Sequence, residues 1–234
     1  MTDYKRNTVD VLLVGDTHGI FDDARYAVEA AEAREVDLII QLGDFAFDFK
    51  DAFLDVWSGA HCPVYFIRGN HDDTQAIMAH GPLAGPGLVE IHENVHYIQD
   101  GALLDIGKSR VAGLGGAVSI DRDRRKEWVS WWADEPTSTQ SVVRLLTGQY
   151  QHADVLLAHD SPQGVRAITE HLKGWPIYPE TEVNRQLIRM AFDHLRPSRV
   201  FHGHYHHAYS EHFKGAMVHG LGFRGPDALM EVVL

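Results

Sequence analysis

The sequence predicts a mixed α/β sandwich with helices on the outside, on three observations. Short, unbroken apolar runs rich in Val, Leu and Ile recur along the chain and stop at Gly, Arg or His, as strands buried on both faces do. Alanine-rich or amphipathic stretches of helical spacing lie between some of them. Heptads, internal repeats and low-complexity tracts are absent, which removes coiled coils and solenoids. A length of 234 residues suits one compact domain over 1–234.

Val9 to Val14 reads as a buried strand that ends at Gly15, and apolar positions recur at helical spacing from Phe21 to Arg34. Val36 to Leu42 is again an unbroken apolar strand, ending at Gly43, so the chain opens β, α, β. Val64 to Ile67 repeats the device and runs into Arg68, Gly69 and Asn70. If these strands are parallel, their three loops emerge at one sheet edge, where α/β sheets bind ligands. The Gly- and Pro-rich stretch Gly81 to Gly87 punctuates the chain. After it Val95 to Ile98, Leu103 to Ile106 and Arg110 to Leu114 read as short strands separated by turns, which predicts a more antiparallel second half. Val155 to Ala158 is a buried strand ending at His159, and Val183 to Leu195 an amphipathic helix before Pro197. Val200 and Phe201 lead into His202 to His207, and Ala228 to Leu234 is apolar enough to be a closing strand.

Hydrophobic residues at 44% and charged residues at 23% support a real core. The balance of 21 Lys+Arg against 33 Asp+Glu, net −12, argues against a broad nucleic-acid-binding or membrane-binding face. No uncharged stretch is long enough to cross a bilayer. The start, MTDYKRNTVD, lacks an apolar leader core and the single Cys62 cannot form an internal disulfide, so a cytoplasmic chain is expected. Cys62 itself, just before a strand, reads as an inert core thiol.

Five polar clusters follow strand ends: Gly15 to Gly19, Gly43-Asp44, Gly69 to Asp72, His159, and Gly203 to His206. Alone, Gly43-Asp44 would be a turn, Asn70 a cap and His159 a structural histidine. Together they can converge on one edge. Carboxylate, amide and imidazole donors without thiolate suit Mn²⁺, Fe, Zn²⁺ or a similar divalent ion. Asp16, His18, Asp44, Asn70, His159, His204 and His206 are too many for one tetrahedral ion and suffice for two ions sharing a bridging carboxylate.

In this order the clusters resemble the signature of the calcineurin-like metallophosphoesterases: D-x-H at Asp16 and His18, GD at Asp44, GNH[DE] at Gly69 to Asp72, a lone His159, and GHxH at Gly203 to His206. The resemblance spans roughly residues 10 to 207. It implies that Asp16, His18, Asp44 and His206 hold one ion and Asp44, Asn70, His159 and His204 the other, with Asp44 as the bridge. It implies an α+β fold, a four-layer αββα sandwich of two mixed β-sheets flanked by helices. The cofactors implied are two divalent ions, Mn²⁺ before Fe, Zn²⁺, Co²⁺ or Ni²⁺. The reaction implied is hydrolysis of a phosphomonoester or phosphodiester by hydroxide generated from water between the ions. His71 is then the natural donor to the leaving group or the phosphoryl oxygens, and Asp72 the partner that orients its imidazole. The partner is a small phosphate ester, a nucleotide or nucleic-acid end among the candidates. A nuclease, a cyclic-nucleotide phosphodiesterase and a non-catalytic metal-binding scaffold are the alternatives, the complete ligand set arguing against the last.

Two departures stand out. Phe47 occupies the place where many members carry a second Asp, with Asp48 one further on. The run FAFDFK replaces the V-D-R-G of the protein Ser/Thr phosphatases, although Arg68 before GNHD resembles that branch. Gly115 to Ser119, followed by Arg122 to Trp132, is similar to a connection found in some members. Its Arg122, Arg124, Arg125 and Lys126 could bind a second phosphate but read first as a solvated face. Trp128, Trp131 and Trp132 read first as anchors of a cap rather than a base-stacking platform. His202 and His207 read equally as outer hydrogen-bond partners of the site and as structural groups.

Overall fold

The computed structural model describes residues 8–148, 151–165 and 173–234. The first seven residues, on which the expectation of no apolar leader core rests, lie outside them. Twelve strands form two six-stranded sheets among the described residues. The first contains β1 (Asp10–Val14), β2 (Leu38–Gln41), β3 (Val64–Phe66), β4 (Leu88–His92), β5 (Val95–Ile98) and β12 (Leu229–Val233), in the order β12-β1-β2-β3-β5-β4. The second contains β6 (Ala102–Ile106), β7 (Ser109–Leu114), β8 (Val155–Ala158), β9 (Arg199–His202), β10 (Tyr209–Phe213) and β11 (Ala216–Gly220), in the order β10-β11-β9-β8-β7-β6. Helices α1 (Phe21–Ala33) and α2 (Asp51–Ser58) cover the first sheet, and α4 (Thr139–Thr147) and α5 (Tyr178–Leu195) the second. The short α3 (Thr74–Met78) follows the β3 loop, capped by the Asp73 carboxylate on the amides of Gln75 and Ala76.

Three apolar clusters fill the three interfaces between four layers, and strand pleating assigns residues to them. In β1, Leu12 and Val14 pack with the α1 alanines, while Val11 and Leu13 point between the sheets. In β8, Val155 and Leu157 face the first sheet, while Leu156 and Ala158 face Ile188 and Phe192 of α5. Both faces of the central strands are buried, which is why they read as continuous apolar runs. The expected αββα sandwich of two mixed sheets is the observed architecture.

The expectation of a more antiparallel second half holds for its edge strands alone: β4, β6, β10 and β12 are antiparallel to their neighbours, whereas β7, β8, β9 and β11 run parallel. The turn signals around residues 99–108 mark the passage from the first sheet to an edge hairpin of the second, not a meander. α5 begins at Tyr178, five residues before Val183, because its inner face carries Thr181, Asn184 and Arg185, polar residues that periodicity reads as exposed. Of the tryptophans, Trp132 is buried as expected, whereas Trp128 is exposed. Cys62 is buried, and burial together with Asp37 pushes its thiol up to about 11, as an inert core thiol requires. No helix among the described residues is long and apolar enough to cross a membrane.

Both parallel quartets direct their C-terminal ends to the same region. Buried Gln41 ties two of these loops, donating to the carbonyls of Gly15 and Gly43 at 3.0 and 2.6 Å and accepting from the Gly43 amide at 2.9 Å. Arg68, fully buried after β3, donates to Asp100 at 2.8 Å and to the carbonyls of Asp134, Glu135 and Pro136 at 3.0, 2.8 and 2.9 Å. It therefore fastens the 115–136 segment to the β3 loop. Arg68→Ala removes the charge partner of buried Asp100 and the donors to three carbonyls, and a loss of about 3–5 kcal/mol in unfolding free energy is expected by urea titration; a loss under about 1 kcal/mol would show the anchor to be dispensable.

Candidate metal centre

The site is assembled from loops of both sheets. The Asp16 carboxylate after β1 accepts the backbone N–H of His204 after β9, at 3.0 and 3.2 Å. Asp44, after β2, lies between two groups of donors. Its Oδ1 is 3.4 Å from His159 Nε2 and accepts the His71 backbone N–H at 2.8 Å. Its Oδ2 is 3.7 Å from His18 Nε2 and 4.0 Å from His71 Nε2. On one side His206 Nε2 stands 3.0 Å from both Asp16 Oδ2 and His18 Nε2. On the other, Asn70 Oδ1 is 3.1 Å from His159 Nε2.

Three sets of donor atoms each close to within 4.8 Å: Asp16, His18 and His206; His18, Asp44 and His71; Asp16, Asp44 and His159. Five of the seven sequence-derived ligands fall in these sets, and Asn70 joins them through its 3.1 Å contact with His159. The ring of the seventh, His204, lies in none of these three sets but 5.2 Å from that of His159, centroid to centroid. His71 reaches the Asp44 side, where the sequence placed a donor rather than a ligand.

The loops are held in costly conformations. His18, Asp44, His204 and His206 all have positive φ, 49°, 53°, 70° and 55°, a left-handed backbone that non-glycine residues adopt only where surroundings over-determine it. Here the amides of Thr17 and His18 both donate to the Asp44 carbonyl, and Thr17 Oγ1 to that of Phe45. The glycines of the motifs serve close approach: a Cβ at Gly69 would collide with the Asp44 carboxylate, and one at Gly43 with the His159 ring.

Ring orientations are fixed from behind. His159 Nδ1 donates to the Leu42 carbonyl at 2.7 Å, leaving Nε2 to face the site. Asn70 Nδ2 donates to Ser119 Oγ at 2.9 Å, and Ser119 donates its hydroxyl and amide to the buried Glu135 at 2.8 and 2.6 Å. That chain turns the Asn70 carbonyl oxygen toward His159. Burial pushes the Glu135 carboxyl up to about 7. Asp72 departs from its expected role: its two oxygens accept the amides of Ala46 and Gly69 at 2.8 and 2.6 Å, so it joins the β2 and β3 loops and does not orient the His71 ring. Fully buried beside Asp44, its carboxyl is pushed up to about 7, first by burial and then by that neighbour.

The electrostatics favour positive charge between the carboxylates. Burial opposes the charged form of His159, but Asp44, Asp16 and the Leu42 carbonyl together push it up to about 10, and Asp44 is held well below its usual range by His159 and His71 despite its own burial. The pair holds a proton where a divalent ion would supply the charge instead, with release of that proton. The oxygen and nitrogen donors present fit a borderline divalent ion.

Residues around the centre complete the picture. Phe47, 42% exposed, stacks on His18 at 5.8 Å, while Asp48 turns away to pair with Lys50. Phe223 stacks on His206 at 4.6 Å. His202 bonds the Gly203 carbonyl at 2.9 Å and Tyr209 Oη at 2.6 Å, so it supports the last loop, and His207 is exposed. Arg125 lies against the His71 ring and is not part of a solvated face. Sequence reasoning passed over Ser119 and Glu135, whose contacts join positions 49 and 65 residues from Asn70; the Gly115 to Ser119 resemblance was the one available signal.

The match to known proteins follows the same loops. A profile described as calcineurin-like phosphoesterase matches residues 9–208, which contain every candidate ligand. A Haemophilus influenzae Rd protein of uncharacterised function is 27% identical over 241 residues, covering 92% of this chain and 91% of its own. Among solved structures, a Thermus thermophilus protein superposes with a TM-score of 0.55 at 16% identity, over 92% of this chain and 90% of that one. A provisionally assigned 5′-nucleotidase of Staphylococcus aureus gives 0.56 at 16% identity, over 97% of this chain and 51% of that one. At such identities the structural likeness concerns the fold, and it is the profile match across all five loops by which the chain belongs to the calcineurin-like phosphoesterase family.

Proposed function

We propose that the protein hydrolyses a small phosphomonoester or phosphodiester at a centre of two divalent ions, in the cytosol, with Asp44 as the shared ligand. The carrying observation is the Asp44 carboxylate, one oxygen turned to His159 and the other to His18 and His71. Asp16, His18, Asp44 and His206 would hold one ion and Asp44, Asn70, His159 and His204 the other, Mn²⁺ being the first choice. Divalent ions in such a pair supply polarisation of a phosphoryl oxygen and acidification of water.

The chain's own groups account for the rest. Burial pushes His71 down to about 4, Arg125 acting in the same direction and Asp44 against it, so the free protein holds a neutral imidazole. Its N–H can donate to a phosphoryl or leaving-group oxygen where negative charge develops. The Glu135–Ser119–Asn70 chain keeps the amide oxygen aimed inward, and Asp72 keeps the Asp44 and Asn70 loops together.

Elemental analysis of metal-loaded protein is expected to find two ions per chain, with chelation abolishing hydrolysis and Mn²⁺ restoring it; one tightly held Zn²⁺ and no hydrolysis with any metal would indicate a structural site. Asp44→Ala removes a ligand from both ions whereas His206→Ala weakens one, so calorimetric metal titration should show both affinities reduced in the first and one in the second. Unchanged affinities in Asp44→Ala would refute the bridge. His71→Ala should retain both ions while kcat falls by about 10²–10⁴. A smaller deficit on a nitrophenyl ester than on an alkyl ester would assign His71 to the leaving group, equal deficits would assign it to the phosphoryl oxygens, and loss of an ion would make it a ligand.

A further inference from the structure

The segment 120–132 carries four cations, and the structure sorts them by what they touch. Arg122 forks onto Glu180, with Nη2 2.8 Å from Oε1. Arg124 and Lys126 point to solvent. Arg125 alone of the four reaches the candidate centre, its side chain only 8% exposed. Its Nε donates to Asp121 at 3.0 Å and its Nη1 to the Ser130 carbonyl at 3.1 Å, so the segment holds the guanidinium from behind. Nη2 is left at the edge of the site, against both nitrogens of the His71 ring. It is a charged donor held in place beside His71.

We propose that Arg125 is a substrate-binding residue that takes a non-bridging oxygen of the phosphoryl group beside His71. The inference rests on the phosphoesterase reading and gives the 120–132 segment a task that no motif assigns. The chemistry fits: a guanidinium held by two contacts offers a phosphate a charge-assisted hydrogen bond with little ordering cost. Arg68, the cation beside the GNHD motif, cannot serve, because Asp100 and three carbonyls occupy it away from the site. The buried Asp16 and Asp44 disfavour an anion, and the Arg125 guanidinium offsets that repulsion.

The test uses the full chain loaded with Mn²⁺, with inorganic phosphate as the probe in calorimetry and as a product inhibitor. Arg125→Gln, which keeps a neutral donor toward Ser130, should weaken phosphate binding by about 10- to 100-fold with metal content unchanged. Arg125→Lys should recover part of the loss, and Arg124→Ala should match the unmodified protein. Phosphate affinity within about twofold of the unmodified protein in Arg125→Gln would overturn the proposal. So would equal losses in the Lys and Gln variants accompanied by new proteolytic cleavage within 119–135, since Arg125 would then only pin the segment. If the unmodified, loaded protein neither binds phosphate nor cleaves any ester, the phosphoesterase reading fails first and this inference with it. A protein that does both while Arg125→Gln behaves normally retains the reading and loses only Arg125.

Discussion

Three carboxylates, Asp16, Asp44 and Asp72, are buried within a few residues of strand ends that converge from two sheets. Uncompensated negative charge in an interior is costly, and much of the local structure answers that cost. Asp72 accepts two backbone amides and is driven toward its neutral form, His159 is driven toward its charged form, and His206 is raised first by its bond to Asp16. Bound divalent metal would relieve the same imbalance more completely. The left-handed residues and close-packed glycines of the loops follow from the need to bring these groups to one point.

Parallel pairing is what makes such convergence possible. Each sheet places four parallel strands at its centre, so every central strand delivers its loop to the same end. The two sheets then face each other across a shared apolar layer, and loops from β1, β2 and β3 meet those from β8 and β9. The antiparallel edge strands close the sheets without contributing a candidate ligand.

The 115–136 segment and the loop after β3 behave as one unit. Arg68 binds three consecutive carbonyls of the segment, Thr74 Oγ1 donates to Asp134 at 2.6 Å, and Asn70 reaches Glu135 through Ser119. Displacing the segment would therefore disturb the Asn70 amide as well as Arg125. An excursion that sequence patterning reads as a peripheral connection is wired to the candidate ligands.

The central strands, the closing strand and the ligand-bearing loops were legible in the sequence. Strands buried on both faces must be apolar throughout, and sharp departures from them must carry Gly beside the polar groups that turn back on the sheet. The short helices α2 and α3 and the strands β10 and β11 were not, because an element of five to eight residues with one exposed face leaves little periodic signal. The parallel course of the second sheet was also beyond a local pattern, since strand direction depends on the connections and not on the strand's own residues. Asp72 illustrates the limit most clearly: its place beside His71 suggests an orienting partner, yet its oxygens face amides 26 and 3 residues away. The sequence by itself determined which residue types stand at the strand ends and that they suit metal and phosphate chemistry. Only the tertiary structure decided that Arg125, Ser119 and Glu135 belong with them, because those contacts join residues 16 to 54 positions apart and exist only once both sheets and the intervening segment have packed.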